Sequence, residues 1–152
     1  MKKTILSLLF LIIVISACEK DDFCLKNPVT PSLVINFYDD TNKETLKNVR
    51  ELYVWAEGKT DSIYINQTIN SITIPLNSLA TEIVYNFSKE NVVNQFTINY
   101  TTEEEYVSRS CGYKVNFNEV TFSSDTTWII SFTPETLTTI ENQTEAHVQI
   151  FH

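Results

Sequence analysis

Glycine is almost missing from this sequence, which has only Gly58 and Gly112 in 152 residues. Closed β-barrels turn their corners on repeated glycines, so this scarcity argues against one. Histidine is as rare, at His147 and His152, leaving few bases for nucleophilic catalysis and few imidazoles for a metal. Positive charge is also short: 11 Lys and Arg face 19 Asp and Glu, a net −8. No basic cluster interrupts that field, which repels phosphate backbones, so nucleic acid is excluded as a partner. Nor is any apolar run long enough for a spanning helix, which needs about 20 residues.

The longest apolar run, Ile5 to Ile15 broken only by Ser7, follows the charged start Met1-Lys2-Lys3. Charge followed by a short apolar stretch is the profile of a secretory signal. Ile15-Ser16-Ala17-Cys18 resembles the lipobox of bacterial lipoproteins, in which small residues admit the peptidase and the cysteine sulfur is acylated. That resemblance implies removal of residues 1–17 and lipidation of Cys18, with multiple acyl chains giving a stable membrane anchor. Glu19-Lys20-Asp21-Asp22 is similar to the acidic export signal of Bacteroidota lipoproteins. It implies display at the cell surface on the outer membrane, the alternative being a polar tether at the periplasmic face.

Without Lys2 and Lys3 the mature chain carries nine Lys and Arg against 19 acids, a formal −10. It has no internal repeat or low-complexity segment and suits one core. We expect a lipidated acidic tether over residues 18–30 and a single domain over 31–152.

Period-two alternation runs through that domain and places each apolar set on one sheet face. The sets are Leu33, Ile35, Phe37; Leu52, Val54; Ile63, Ile65; Ile72, Ile74, Leu76; Ile83, Tyr85, Phe87; Phe96, Ile98, Tyr100; Tyr113, Val115, Phe117; Trp128, Ile130, Phe132; and Val148, Ile150. About nine strands follow, separated by turn residues at Asp39-Asp40, Glu57-Gly58, Asn77 and Pro134. Only 41–48 and 134–142 hold weak helix signals, and both also read as loops. The expected fold is all-β, an antiparallel sandwich of Ig-like or transthyretin-like Greek-key type.

Once lipid occupies Cys18, Cys24 and Cys111 are the remaining thiols. In an oxidising envelope they are expected to form a disulfide. Gly112 beside Cys111 suggests a bulge or a close backbone approach. Asp61-Ser62-Ile63 and Asp125-Thr126-Thr127 resemble the acceptor of Bacteroidota O-glycosylation, making Ser62 and Thr126 candidate sites.

Several segments taken together resemble an uncharacterised family of flavobacterial (Bacteroidota) lipoproteins known only as a domain of unknown function. They are Cys18 to Cys24, Thr30 to Asp39, Lys47 to Val49, Tyr106 to Tyr113 and Glu145 to Ile150. The resemblance implies lineage, lipoprotein status and recurrence of the two mature cysteines, and it brings no activity.

Catalytic constellations are thin. His147 and His152 lie five residues apart, so on an extended strand they point to opposite faces and do not share a metal. His147, between Ala146 and Val148, reads as a hydrogen-bonded wall residue. Glu103-Glu104-Glu105 and Asp39-Asp40 read as solvated faces, without calcium-loop spacing. Arg109, if its strand is regular, shares a face with Val107 and Cys111 and needs a carboxylate partner inside the sheet. Tyr53 and Trp55 share the strand face opposite Leu52 and Val54, which offers an aromatic contact surface. We therefore expect no enzyme activity, cofactor or metal, but a non-catalytic accessory or binding module that meets the membrane through its lipid and an envelope protein or glycan through its surface. The alternative is a small carboxylate-dependent hydrolase of envelope or extracellular polymer.

Overall fold

The computed structural model describes Cys24 and residues 29–152. Ten strands form: β1 (Leu33–Tyr38), β2 (Val49–Ala56), β3 (Tyr64–Ile69), β4 (Ser71–Ile74), β5 (Glu82–Lys89), β6 (Val92–Ser108), β7 (Gly112–Ser124), β8 (Ser131–Thr133), β9 (Thr136–Ile140) and β10 (Val148–Phe151). The strand that alternation missed is β9. Its segment, Thr-Leu-Thr-Thr-Ile, pairs antiparallel with β7 from Phe117↔Ile140 to Thr121↔Thr136. Its β-branched residues suit a half-exposed edge strand better than a helical turn.

The strands form a four-stranded sheet, β4-β1-β10-β8, and a six-stranded sheet, β3-β2-β5-β6-β7-β9. All pairs are antiparallel except β1 and β10, which run parallel from Ile35↔Val148 to Tyr38↔Phe151. The chain changes sheets between β3 and β4 at Asn70, whose carbonyl accepts the Phe37 N–H at 2.8 Å. Leu33, Ile35, Phe37, Ile74, Val148 and Ile150 from one sheet, and Leu52, Val54, Phe87, Phe96, Ile98 and Phe117 from the other, are all 0 % exposed. An aromatic column crosses the larger sheet, with Phe87 to Phe96 centroids at 5.7 Å and Phe96 to Phe122 at 5.8 Å, and Phe132 from the smaller sheet meets Phe96 edge-on at 5.4 Å. Each fully buried Phe contributes on the order of 1.5–3 kcal/mol by area.

Two expected alternations shift. Ile63 and Ile65 are exposed, while Tyr64 packs on the core and bonds through its hydroxyl to the Thr73 N–H at 2.8 Å. Ile130 is 56 % exposed and Ile129 takes the core position, because residues 128–130 precede β8 as irregular backbone. The β5–β6 turn, Glu90-Asn91, has φ of 50° and 68°, as a two-residue hairpin turn matched to strand twist requires.

β6 and β7 outrun their sheet. β5 follows β6 only as far as Asn99, and β9 meets β7 no further than Phe117. From Glu103↔Asn116 to Tyr106↔Tyr113 the two strands continue as a ribbon. At its base the Val115 N–H donates to Thr30 Oγ1 at 3.1 Å, and Lys114 Nζ lies 3.0 Å from Glu105. The ribbon closes through Arg109, Ser110 and Cys111 between the paired Ser108 and Gly112. Cys111 is bonded to Cys24, with Cα atoms 4.9 Å apart, so the expected staple is present. Gly112 takes a φ of +73° without strain and nothing lies within 4 Å of where a Cβ would stand, which removes the expected close approach, while the register shift between Tyr106 and Ser108 opposite it bears out the expected bulge. Arg109 is not inside a sheet either: β6 ends at Ser108, so the arginine lies exposed in the turn. Among the described residues the ion pairs are Lys47–Asp39 and Lys114–Glu105, so Arg109 has no carboxylate partner there.

Candidate functional site

The two histidines occupy separate environments. His147 sits just before β10, where its own N–H donates to the Val34 carbonyl at 2.8 Å while its Nδ1 accepts the Val34 N–H at 2.9 Å. Since Nδ1 accepts, Nε2 carries the proton and donates to the Asn142 carbonyl at 2.9 Å. Burial pushes the His147 pKa down. The residue thus extends the β1–β10 ladder with a side chain, as the hydrogen-bonded wall reading expects.

His152 lies beyond β10 and is 5 % exposed. Its ring is edge-on to Phe37 at 6.0 Å and to Trp128 at 5.7 Å, and Lys89 Nζ stands 3.1 Å from its Nδ1. Burial, reinforced by Lys89, pushes its pKa down to about 4. A cavity of about 610 Å³ opens here, lined by Leu46, Lys47, Arg50, Lys89, Glu90 and His152. Lys47 is already engaged, at 2.8 Å from Asp39 and 2.7 Å from the His152 carbonyl. A second cavity of about 370 Å³ lies against Ala56, Asp61, Ile63, Leu76, Ile83 and Tyr85.

Three of the five acids in the two acidic runs are bonded locally. The Lys47 hydrogen bond, then the N–H groups of Asn42 and Thr41, hold the Asp39 carboxyl at about 2. Glu105 is held below its ordinary range first by Asn116 and then by Lys114, and Glu103 accepts from Asn118 at 2.7 Å. Glu103 and Glu105 lie on the exposed ribbon, outside both cavities, and each cavity is lined by a single carboxylate. Among the described residues no group of three His, Cys, Asp or Glu is placed to hold a metal.

The outer face of the six-stranded sheet groups a different set. Leu52 and Val54 turn inward, so Tyr53 and Trp55 turn outward, both partly exposed. Across the sheet Tyr53 registers with Ser88 and Trp55 with Asn86, and Asn86 registers in turn with Gln95 on β6. Gln95 Nε2 lies 3.3 Å from Asn86 Oδ1 and 3.5 Å from Glu57 Oε1. Asn86 and Ser88 point outward by alternation yet are only 8 % and 7 % exposed. The result is two aromatic side chains beside a row of amide, hydroxyl and carboxylate groups. Sequence reading found the aromatics. It missed Asn86, Ser88 and Gln95, whose only sign was polarity between buried Tyr85, Phe87 and Phe96.

Asn94 was also missed. It is fully buried, and its Oδ1 accepts from Thr127 N at 3.0 Å, Thr127 Oγ1 at 2.7 Å and Ile129 N at 3.3 Å. Its Nδ2 donates to the Asp125 carbonyl at 2.7 Å and to Ser124 Oγ at 2.8 Å. These bonds shape the loop that holds Thr126 exposed. Ser62, just before β3, is partly buried. Cys18 and residues 19–22 lie outside the described residues.

No curated protein and no solved structure matches the chain. One family model does match, over residues 51–152, and its description reads Family of unknown function (DUF6452). The match begins in β2 and includes Tyr53, Trp55, the whole ribbon and Cys111, leaving β1 and Cys24 outside it.

Proposed function

The chain belongs to DUF6452, a family of unknown function, and we propose that it is a non-catalytic binding module, held to the outer membrane by lipid on Cys18 and displayed at the cell surface, whose Tyr53–Trp55 face takes a glycan. The observation that carries this reading is the placement of two partly exposed aromatics beside Asn86, Gln95 and Glu57. A sugar ring offers an apolar C–H face and a rim of hydroxyls. The first stacks on an indole or phenol, and the second matches amide and carboxylate groups. Tyr and Trp suit such half-wet contacts because each joins an apolar body to a polar tip. A glycoside hydrolase places two carboxyls roughly 5–9.5 Å apart around the scissile bond. Among the described residues, each of the two cavities above is lined by one carboxylate, which favours binding.

Trp55 itself supplies the test. The chain has two tryptophans, and Trp128 is engaged through Nε1 with the Phe87 carbonyl at 3.1 Å. In a Trp128→Phe background, oligosaccharides released from lipopolysaccharide and from capsule are titrated while Trp55 emission is followed. Saturable change is expected, with affinity reduced about tenfold or more in Tyr53→Ala, equivalent to about 1.4 kcal/mol. Flat titrations with both glycan classes would remove the glycan reading.

A further inference from the structure

We propose that the tip of the β6–β7 ribbon is a membrane-contact element: Tyr106, Tyr113 and Arg109 rest in the headgroup layer beside the lipid anchor. The proposal rests on lipidation of Cys18 and extends it, since an anchor alone sets no orientation.

Three observations converge on the tip. Tyr106 and Tyr113 face each other across the ribbon with centroids 5.3 Å apart, yet remain 58 % and 63 % exposed. A cross-strand aromatic pair stabilises a ribbon by a fraction of a kcal/mol, but that role leaves two large ring surfaces in water. Tyr is also a residue of choice for the membrane interface, where the ring meets acyl chain and the hydroxyl meets headgroup. Between the two tyrosines the turn exposes Arg109, a cation suited to lipid phosphate. Of the ribbon acids, Glu103 and Glu105 are bonded to Asn118, Asn116 and Lys114.

Covalent geometry supplies the third observation. Cys24 is joined to Cys111 within the tip, and Cys24 follows Cys18 by six residues. At roughly 3.5 Å per residue Cys24 lies within about 20 Å of Cys18, and the tip, across the disulfide, within roughly 25 Å of it. Val92 and Val93 begin β6, the strand that ends at the tip, and at roughly 3.3 Å per residue they lie about 45 Å from Tyr106. The tether therefore holds the tip, and not the start of β6, close to a bilayer.

The test uses the full lipoprotein reconstituted into vesicles of phosphatidylethanolamine and phosphatidylglycerol containing lipid with a nitroxide near the headgroup. Tyr106→Trp and, separately, Tyr113→Trp are made in the wild-type background, and the emission added by the new indole is obtained by difference from the parent. Flotation of the vesicles is measured first. Protein that floats and whose added indole is quenched at least twofold more than Trp55 and Trp128 supports the proposal, as does loss of that excess when the disulfide is reduced. Protein that floats with both added indoles quenched no more than the native pair overturns the membrane contact and leaves the anchor intact. Protein that fails to float overturns the anchor reading and the contact with it.

Discussion

His147 and His152 couple this fold to acidity. Both are held below the free imidazole value of 6.5, chiefly by burial, and His152 is pushed to about 4. The unfolded chain binds protons near pH 6.5 that the folded chain refuses. Their contribution is thus fully present above pH 6.5 and is lost as the pH falls toward the folded values, near 4 for His152. Asp39 adds a lower window: depressed from 3.8 to about 2, its contribution is present above 3.8 and is lost as the pH falls toward 2. Melting temperature measured against pH should fall between pH 6.5 and 4, and His152→Gln should flatten that limb. An unchanged slope in the variant would show that His152 is not its source. At this scale the sequence was legible where alternation decides burial, as at Ile35 or Phe96, and His147 read correctly because its neighbours Ala146 and Val148 fixed it on a strand. Asn94 was illegible. A buried asparagine between Val93 and Gln95 has no local signature, since its partners at Thr127 and Ile129 lie more than 30 residues away.

The long hairpin is the element in which reading and structure differ most usefully. Its apolar alternation stops at Tyr100, so Glu103-Glu104-Glu105 read as a solvated face, and Arg109 as strand if that strand is regular. In the structure the two strands continue by pairing with each other, and the turn begins at Arg109. Cross-strand pairing needs no core, so no hydrophobic period announces it. The cysteines did announce the staple, because the lipobox reading left only two thiols. That staple closes 87 residues, for which the chain-entropy estimate is about 4.6 kcal/mol before native strain is deducted. Urea unfolding of the Cys24→Ser/Cys111→Ser double variant should show a loss of several kcal/mol. A loss below about 1 kcal/mol would mean that the ribbon, through the Val115 N–H to Thr30 Oγ1 bond, holds the N-terminal segment without the disulfide.

For the whole molecule, the sandwich was legible because both sheets bury one face and so alternate, and because glycine was too scarce for a barrel. The parallel β1–β10 pair was not legible: both strands show the same alternation in either direction, and which strands become neighbours is decided only by the closing of the whole core. The reading of location rests on residues outside the described part of the chain, which makes it a matter for fractionation. Cys18→Ser should leave unprocessed or soluble protein in place of membrane-bound protein, and unchanged membrane partition would refute the anchor. The native protein's intact mass, compared with the lipidated polypeptide, checks Thr126 and Ser62 at the same time; equality would eliminate glycosylation at both.

The parallel pairing of the first strand with the last has a temporal meaning. Val34 and His147 exchange their bonds across 113 residues, and β1 has no other neighbour on that side than β10. A chain delivered N-terminus first, whether from a ribosome or through a translocation channel, has β1 in hand from the start and must wait for residues 148–151 before the smaller sheet can close. Contacts this distant in sequence also make closure slow. The smaller sheet therefore closes last, on strands of the larger sheet that need neither β1 nor β10 to pair.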